Sequence, residues 1–289
     1  MKKTYPHVIS LDEIAEYSAW PSRLLSLDSF ATRYKSPAEV TREFGDEKWG
    51  CLFDAFKERS VFSLEDIESA EQDLDQEIPC YDDYLGFYLT RVKRANIQQI
   101  KIYESVLSRY ADSSNGLVEL GAGYGSKIIR LSNLSVMKDL PLVAAEYTQS
   151  GCNLLSLLAQ KTGKSIEVGR CDFNELDVSG IDIPENSIIF TSYSVHYVPE
   201  LKAKFVDFLN KFKPRVVVHF EPCYEYFEPS SLHGLMCKRY MDINGYTKNI
   251  ASTIVDGCDR IGALVKIQKN VFGSNPFLPL SVIEWSPQF

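Results

Sequence analysis

Val118-Glu119-Leu120-Gly121-Ala122-Gly123-Tyr124-Gly125-Ser126 runs from an apolar strand pattern into three alternating glycines. Residues 116–120 read as the strand and 126–134 as the helix that follows. In a doubly wound sheet such a turn lies at the carboxyl edge, where ligands bind. Glycines let the backbone approach a ligand closely, and a helix start offers free N–H groups. Two ligand classes fit poorly in detail. A phosphate loop needs Lys followed by Ser or Thr after its last glycine, and Gly125-Ser126-Lys127-Ile128 does not supply that order. The dinucleotide fingerprint wants its third glycine where Ser126 stands, one residue beyond Gly125. Glu119, two residues before the loop, suits a ligand with a cationic amino group better than a pyrophosphate.

The alternation continues downstream. Residues 140–146, 165–168, 187–192 and 215–221 read as further strands, with helices over 151–162 and 200–212. Strands with β-branched runs alternating with helices imply an α/β, doubly wound and mostly parallel sheet covered on both faces. Near the end, 264–272 and 280–285 flank Gly273-Ser274-Asn275-Pro276 and read as an antiparallel hairpin at the sheet edge. The first 112 residues lack this rhythm. Helical spacing recurs over 11–17, 38–44 and 49–59, broken by Pro21, Pro37 and Gly45, and Ser63-Leu64-Glu65-Asp66 opens another helix with a capping box. Residues 85–110 read as one long amphipathic helix. The chain therefore divides into an α-helical N-terminal cap, 1–112, covering the substrate, and an α/β core, 113–289.

The 289 residues carry 31 basic and 39 acidic side chains, a formal net charge of −8. Without a Lys/Arg cluster, such a chain repels phosphate backbones, which sets nucleic acid aside as a partner. Nine acidic residues and no basic one fall between Glu65 and Asp83, a solvated face by default and otherwise a docking surface for a cationic partner. The cysteines number seven, with no Cys-x-x-Cys and none at ligand spacing from a His. Reduced, mostly buried thiols in a cytoplasmic protein are expected, and no metal site. The basic start Met1-Lys2-Lys3 is followed by Asp12, Glu13 and Glu16 rather than an apolar stretch, so no signal peptide is expected. No apolar run reaches the roughly 18 residues that suggest a membrane span.

With Glu119, Gly121, Gly123 and Gly125 in this order, the chain resembles the class I, Rossmann-like family of S-adenosylmethionine-dependent methyltransferases. The resemblance covers about 116–289 and implies a seven-stranded, mostly parallel sheet with an antiparallel terminal hairpin. It implies S-adenosyl-L-methionine as cofactor and a small-molecule acceptor. It further implies that Glu146, which closes the second strand 25 residues after Gly121, bonds the ribose hydroxyls. Asp172 and Phe173, after the third strand, would hold the adenine, and Ser192, closing the fourth, completes the cofactor set.

Methyl transfer is an in-line displacement, so the protein aligns the acceptor and removes water. A hydroxyl acceptor also has to lose its proton, which favours a His tuned near neutral pH. His196 falls where small-molecule O-methyltransferases of this family place a general base, although Tyr197 replaces the acidic residue that commonly follows. A His hydrogen-bonded into the cleft wall is the other reading. No Asn/Asp-Pro-Pro-Tyr, the signature of nucleobase-amine and glutamine methylation, follows the fourth strand. Glu221, ending the fifth strand, is the carboxylate best placed to grip a cationic amino acid or guanidine; Glu225 and Glu228 read as loop residues and His219 as a core histidine. Tyr193, Tyr197, Tyr224 and His233 are candidate acceptor-binding residues, with Tyr81, Tyr84, Tyr88 and Arg91 as further cover. O-methylation through His196 and N-methylation of a cationic substrate near Glu221 both stay open. So do an NAD-dependent oxidoreductase and a methyltransferase-like scaffold without activity. An N-terminal helical region of this kind supports a homodimer.

Overall fold

The computed structural model describes residues 6–26 and 36–288; the basic start at 1–5 lies outside them. The chain opens with β1 (His7–Ile9), a 3-10 turn (Glu13–Glu16), α1 (Trp20–Leu25) and α2 (Pro37–Val40). A π-helical stretch (Thr41–Gly50) then runs directly into α3 (Cys51–Phe56). Next come α4 (Leu64–Glu71), β2 (Glu77–Asp82), β3 (Gly86–Arg91) and α5 (Val92–Ala111). The alternating part follows as β4 (Leu117–Leu120), α6 (Ser126–Leu131), β5 (Leu142–Glu146), α7 (Gln149–Lys161), β6 (Ile166–Asp172), β7 (Asp177–Ser179) and β8 (Ile188–Ser192). Then come α8 (Phe205–Asn210), β9 (Val216–Glu221), α9 (Leu232–Asn244), α10 (Ile250–Ile261), β10 (Leu264–Gly273) and β11 (Leu280–Ser286).

These strands form one mixed sheet in the order β1-β3-β2-β10-β11-β9-β8-β4-β5-β6-β7. Strands β9, β8, β4, β5 and β6 are parallel, and β4 sits between β5 and β8, the strands that leave it in opposite directions. That reversal opens a crevice beyond the carboxyl end of β4. Both sheet faces are buried, as the unbroken apolar runs require. Ile188, Phe190, Val216 and Val218 pack with Tyr103, Leu107, Ile128 and Leu154 on one face. Ile189 and Val217 pack with Phe205, Leu209, Ile254 and Cys258 on the other.

The α/β class holds, but three expectations give way. Among the described residues the sheet has eleven strands, not seven, because β1, β2 and β3 from the N-terminal segment and the short β7 extend it at its two ends. The terminal hairpin is antiparallel as expected, with Leu264 opposite Ser286, yet it is not an edge: β10 pairs on its far side with β2, Phe272 opposite Asp82. The N-terminal region is also not wholly helical. The helix read over 85–110 starts only at Val92, and Phe87-Tyr88-Leu89-Thr90 pairs with β2 as a strand. Aromatic and β-branched residues favour a pleated surface there, and Gly86 takes the positive φ of 75° that a tight reversal needs. Gly45 breaks nothing, since it lies inside the π-helical stretch. The Ser63 cap is present: its hydroxyl accepts from Asp66 N–H, and Ser63 N–H donates to the Asp66 carboxylate. Among the described residues, no helix is long and apolar enough to cross a membrane.

Candidate active site

The glycine loop turns at the carboxyl end of β4. Gly121 and Ala122 N–H both donate to Ala145 O, at 2.8 and 3.0 Å, tying the loop to β5. Gly121 has φ 74°, and a Cβ there would lie 2.4 Å from Ser194 Cβ, so no other residue fits. Glu119 is wholly buried beneath the loop and does not line the cavity described below. Its Oε2 accepts from Ile128 N–H at 3.1 Å, which consumes one of the free helix-start donors, while Oε1 has no partner. Burial pushes this carboxyl up to about 7, against the opposing pull of Lys127 and the Ile128 N–H. Its place is thus a brace for α6 rather than a cavity wall.

At the end of β5, Glu146 reaches the cavity surface. Gly123 N–H donates to its Oε2 at 3.0 Å, and Thr148 N–H and Oγ1–H donate to Oε1, each at 3.1 Å. At the end of β6, Phe173 and Asn174 line the same wall. Asp172 does not. Its Oδ1 accepts from Asn174 and Glu175 N–H, at 2.8 and 3.2 Å, so that oxygen closes a turn.

The cavity holds about 400 Å³. Gly121, Gly123, Glu146, Phe173, Ser192, Tyr193 and Tyr197 all line it, bringing together residues from four parts of the chain. Sequence reasoning missed its other walls. Trp49, from the π-helical stretch, packs edge-on to Tyr124 with centroids 5.2 Å apart and touches the Gly123 position. Phe44 meets Tyr197 at 4.8 Å. The stretch is anchored by its widened turn: Gly45 O accepts from Ser150 Oγ at 2.7 Å. From α4 and α5 come Glu68, Glu71, Gln72, Asn96 and Gln99, facing Lys127 and Arg130 of α6. Arg130 grips Glu68 with two nitrogens, and the Tyr124 hydroxyl donates to Glu71 at 2.7 Å. The Ser192 and Tyr103 hydroxyls share a hydrogen bond of 2.6 Å, and Gln99 Nε2 donates to Tyr103 in turn.

His196 and Glu221 meet each other, not the cavity. Both are fully buried, and His196 Nδ1 lies 3.2 Å from Glu221 Oε2. Glu221 also accepts from Ser194 N–H, Ser194 Oγ–H and Val195 N–H, at 3.0 to 3.2 Å. Burial alone raises its carboxyl, but the bonds from His196, Ser194 and Val195 outweigh it and hold it below the ordinary value. A carboxylate so engaged has no capacity left for a cationic acceptor. His196 Nε2 has no partner and packs among Tyr197 and Tyr246, 4.1 and 4.6 Å away by ring centroids. The pair therefore clamps the loop after β8. His219 is a core histidine: it accepts from Trp285 Nε1, lies 3.1 Å from Thr191 Oγ1, and burial drives it down to about 4.

Tyr224 and His233 stand apart. Tyr224 sits under Lys238, whose Nζ lies 4.0 Å from its ring centroid. His233 Nε2 donates to Pro276 O at 2.7 Å and packs on Tyr81 and Phe87. Neither lines the cavity. Among the described residues no group of three or more His, Cys, Asp or Glu is placed to hold a metal ion.

No known family profile matches the chain, and no curated protein matches it in sequence. Solved structures do match in shape. A magnesium protoporphyrin IX methyltransferase from Synechocystis PCC 6803, with bound SAH, is 12% identical, with 86% of this chain and 97% of that one covered at a TM-score of 0.53. The methyltransferase domain of a bacterial Hen1 is 14% identical, covering 68% of this chain and 100% of that one at 0.45. A geranyl diphosphate C-methyltransferase from Streptomyces coelicolor A3(2) is 9% identical, covering 68% and 82% at 0.45. The first of these overlaps establishes a shared fold.

Proposed function

We propose that this chain, which has the fold of a class I S-adenosylmethionine-dependent methyltransferase, transfers a methyl group from S-adenosyl-L-methionine to a small-molecule acceptor. One observation carries the reading. A single cavity at the sheet reversal is lined by the Gly121 turn, where a Cβ would collide with Ser194, by the Glu146 carboxylate and by the Phe173 ring. These groups fit the cofactor: Gly121 for close backbone approach, Glu146 for paired hydroxyls and Phe173 for a flat base.

The bound cofactor supplies an electrophilic methyl on a sulfonium centre. The chain's own residues position and exclude. Ser192, held by Tyr103, and Tyr193, whose hydroxyl donates to Leu278 O at 3.1 Å, give a fixed wall at the β8 end. Phe44, Tyr197, Val198 and Leu278 add an apolar and aromatic surface that keeps water from the reacting atoms. The favoured acceptor presents an atom that is nucleophilic without help from His196, because that ring lies behind the wall rather than on it. With Glu221 saturated by internal donors, a cationic acceptor has no special advantage. The cavity volume is of the order that one cofactor-sized molecule needs, and the acidic chain disfavours nucleic acid.

Calorimetry with S-adenosylhomocysteine and with NAD tests the reading. Binding of S-adenosylhomocysteine is expected, and binding of NAD alone would sink it. Labelled cofactor incubated with cell extract should then yield one methylated small molecule; His196→Ala is expected to lower protein stability rather than abolish that transfer.

A further inference from the structure

We infer that the methyl acceptor is an uncharged, flat heteroaromatic ring, alkylated at a ring nitrogen and bound at the β8 end of the cavity; the inference rests on the methyltransferase reading above. Sheet order divides the cavity. Glu146 and Phe173 follow β5 and β6, on one side of β4, and take the ribose and base in that reading. The acceptor is left the other side, where the loop after β8 and the turn between β10 and β11 supply Tyr193, Tyr197, Val198 and Leu278. Phe44 joins them through its edge-on contact with Tyr197. Charge divides in the same way. Five charged side chains line the cavity, Glu68, Glu71, Lys127, Arg130 and Glu146, and all come from α4, α6 or the end of β5. The β8 loop, the β10–β11 turn and the Phe44 segment contribute none. Ions packed around that side do not line it. Glu221 is engaged by His196 and Ser194 behind the loop, and Lys48, near Glu43, sits on Phe44 with its Nζ 4.5 Å from the ring centroid. A carboxylate or ammonium acceptor would give up its hydration here without meeting a counter-ion on the wall, so an uncharged acceptor is favoured.

No group on this wall is built to take a proton. Burial holds the phenols of Tyr193 and Tyr197 above their ordinary range, and the Tyr193 hydroxyl is already given to Leu278 O. A hydroxyl acceptor has to lose its proton to attack, and a ring nitrogen does not. Its in-plane lone pair forms the N–C bond as the C–S bond breaks; sulfur keeps the C–S pair, and the positive charge passes from the sulfonium to the ring. No proton moves. The aromatic wall assists, because the negative faces of its rings attract charge as it arrives on the acceptor. A neutral thioether balances equally well, but the wall favours a flat partner. Tyr197 is set edge-on to both Phe44 and Tyr246, with centroids 4.8 and 5.3 Å away. Tyr193 is held in the left-handed region at φ 49° with its hydroxyl tied down, so these rings are fixed surfaces. With a cofactor taking up most of the cavity's 400 Å³, a thin ring also fits where a branched acceptor would not.

The test supplies labelled S-adenosyl-L-methionine with isoquinoline, benzylamine or benzoate, which at neutral pH are an uncharged azine, a cation and an anion. Transfer to isoquinoline, giving N-methylisoquinolinium, is expected at a kcat/KM about tenfold or more above the other two. Phe44→Leu should lower that transfer by about threefold to tenfold and leave S-adenosylhomocysteine binding unchanged, since the ring faces the acceptor rather than the cofactor. Tyr197→Phe, which keeps the ring and loses only the hydroxyl, should retain the activity. The labelled product from cell extract should likewise carry a positive charge that persists in alkali, as a quaternary ring nitrogen does. Preference for benzylamine or benzoate, transfer to none of the three by a chain that binds S-adenosylhomocysteine, or an extract product that is an ether, an ester or a titratable amine overturns the inference while leaving the cofactor reading intact. A chain that binds no S-adenosylhomocysteine overturns the reading itself, and the inference with it.

Discussion

Two buried carboxylates near the glycine loop have opposite fates. Glu221 is surrounded by donors and stays below its ordinary value, whereas Glu119 has one donor, one empty oxygen and a value pushed up to about 7. The consequence for stability has a definite sign. Folded Glu119 holds its proton more tightly than the unfolded chain, whose carboxyl titrates near 4.5. That stabilisation is complete below about 4.5 and is lost as pH rises through about 7, a swing of about 3 kcal/mol. Glu119→Gln cannot ionise. It should unfold at nearly the wild-type temperature at pH 5 and at a higher one at pH 8.5; an offset that does not change with pH would contradict this. At this scale the sequence was informative where spacing reports backbone position: Gly121, Gly123 and Glu146 all stand at strand ends and reach the cavity. Spacing does not report which side of a loop a side chain takes. His196 and Asp172 sit at the expected offsets, yet one turns into the clamp behind the β8 loop and the other into its own turn. Trp49, 74 residues before Gly123, carried no signal of its place in the sequence.

Elements from the N-terminal segment complete the cavity, and their local chemistry can be tested. Helix α4 carries Glu68 and Glu71, and it starts from the reciprocal Ser63–Asp66 cap. Ser63→Ala removes the acceptor for Asp66 N–H and should cost about 1 kcal/mol in urea unfolding, with the slope unchanged. A loss under about 0.3 kcal/mol would show that tertiary contacts alone hold the helix end. The cap was readable because it is a four-residue pattern. The β2–β3 hairpin was not, because Leu85, Leu89 and Val92 also satisfy a helical period, and short apolar runs fit both periods. The π-helical stretch was hidden for a different reason: widened turns change the hydrogen-bond pattern without changing composition. Gly50 closes on Gly45 O, where an added Cβ would come within 2.5 Å.

At the scale of the molecule, the parallel heart of the sheet follows from runs such as Val216-Val217-Val218, which need apolar cover on both faces. The number of strands did not, because pairing of β2 with β10 is a long-range choice that no local pattern encodes. The boundary near residue 112 also separates less than composition suggested. Trp49, Leu52, Phe56, Tyr103 and Leu107 share one apolar cluster with Ile128, Leu154 and Phe190. A fragment spanning 113–289 should therefore expose that cluster and the free edge of β10, and associate into large species by sedimentation; a monodisperse fragment of native-like melting would refute this. The same pairing sets the order of events during synthesis. Asp82 leaves the ribosome 190 residues ahead of Phe272, the residue it faces (272 minus 82). At ordinary elongation rates that is a wait of roughly 10–40 s. Throughout it the opening strands have no sheet to join, so the first part of the chain to be made is among the last to settle.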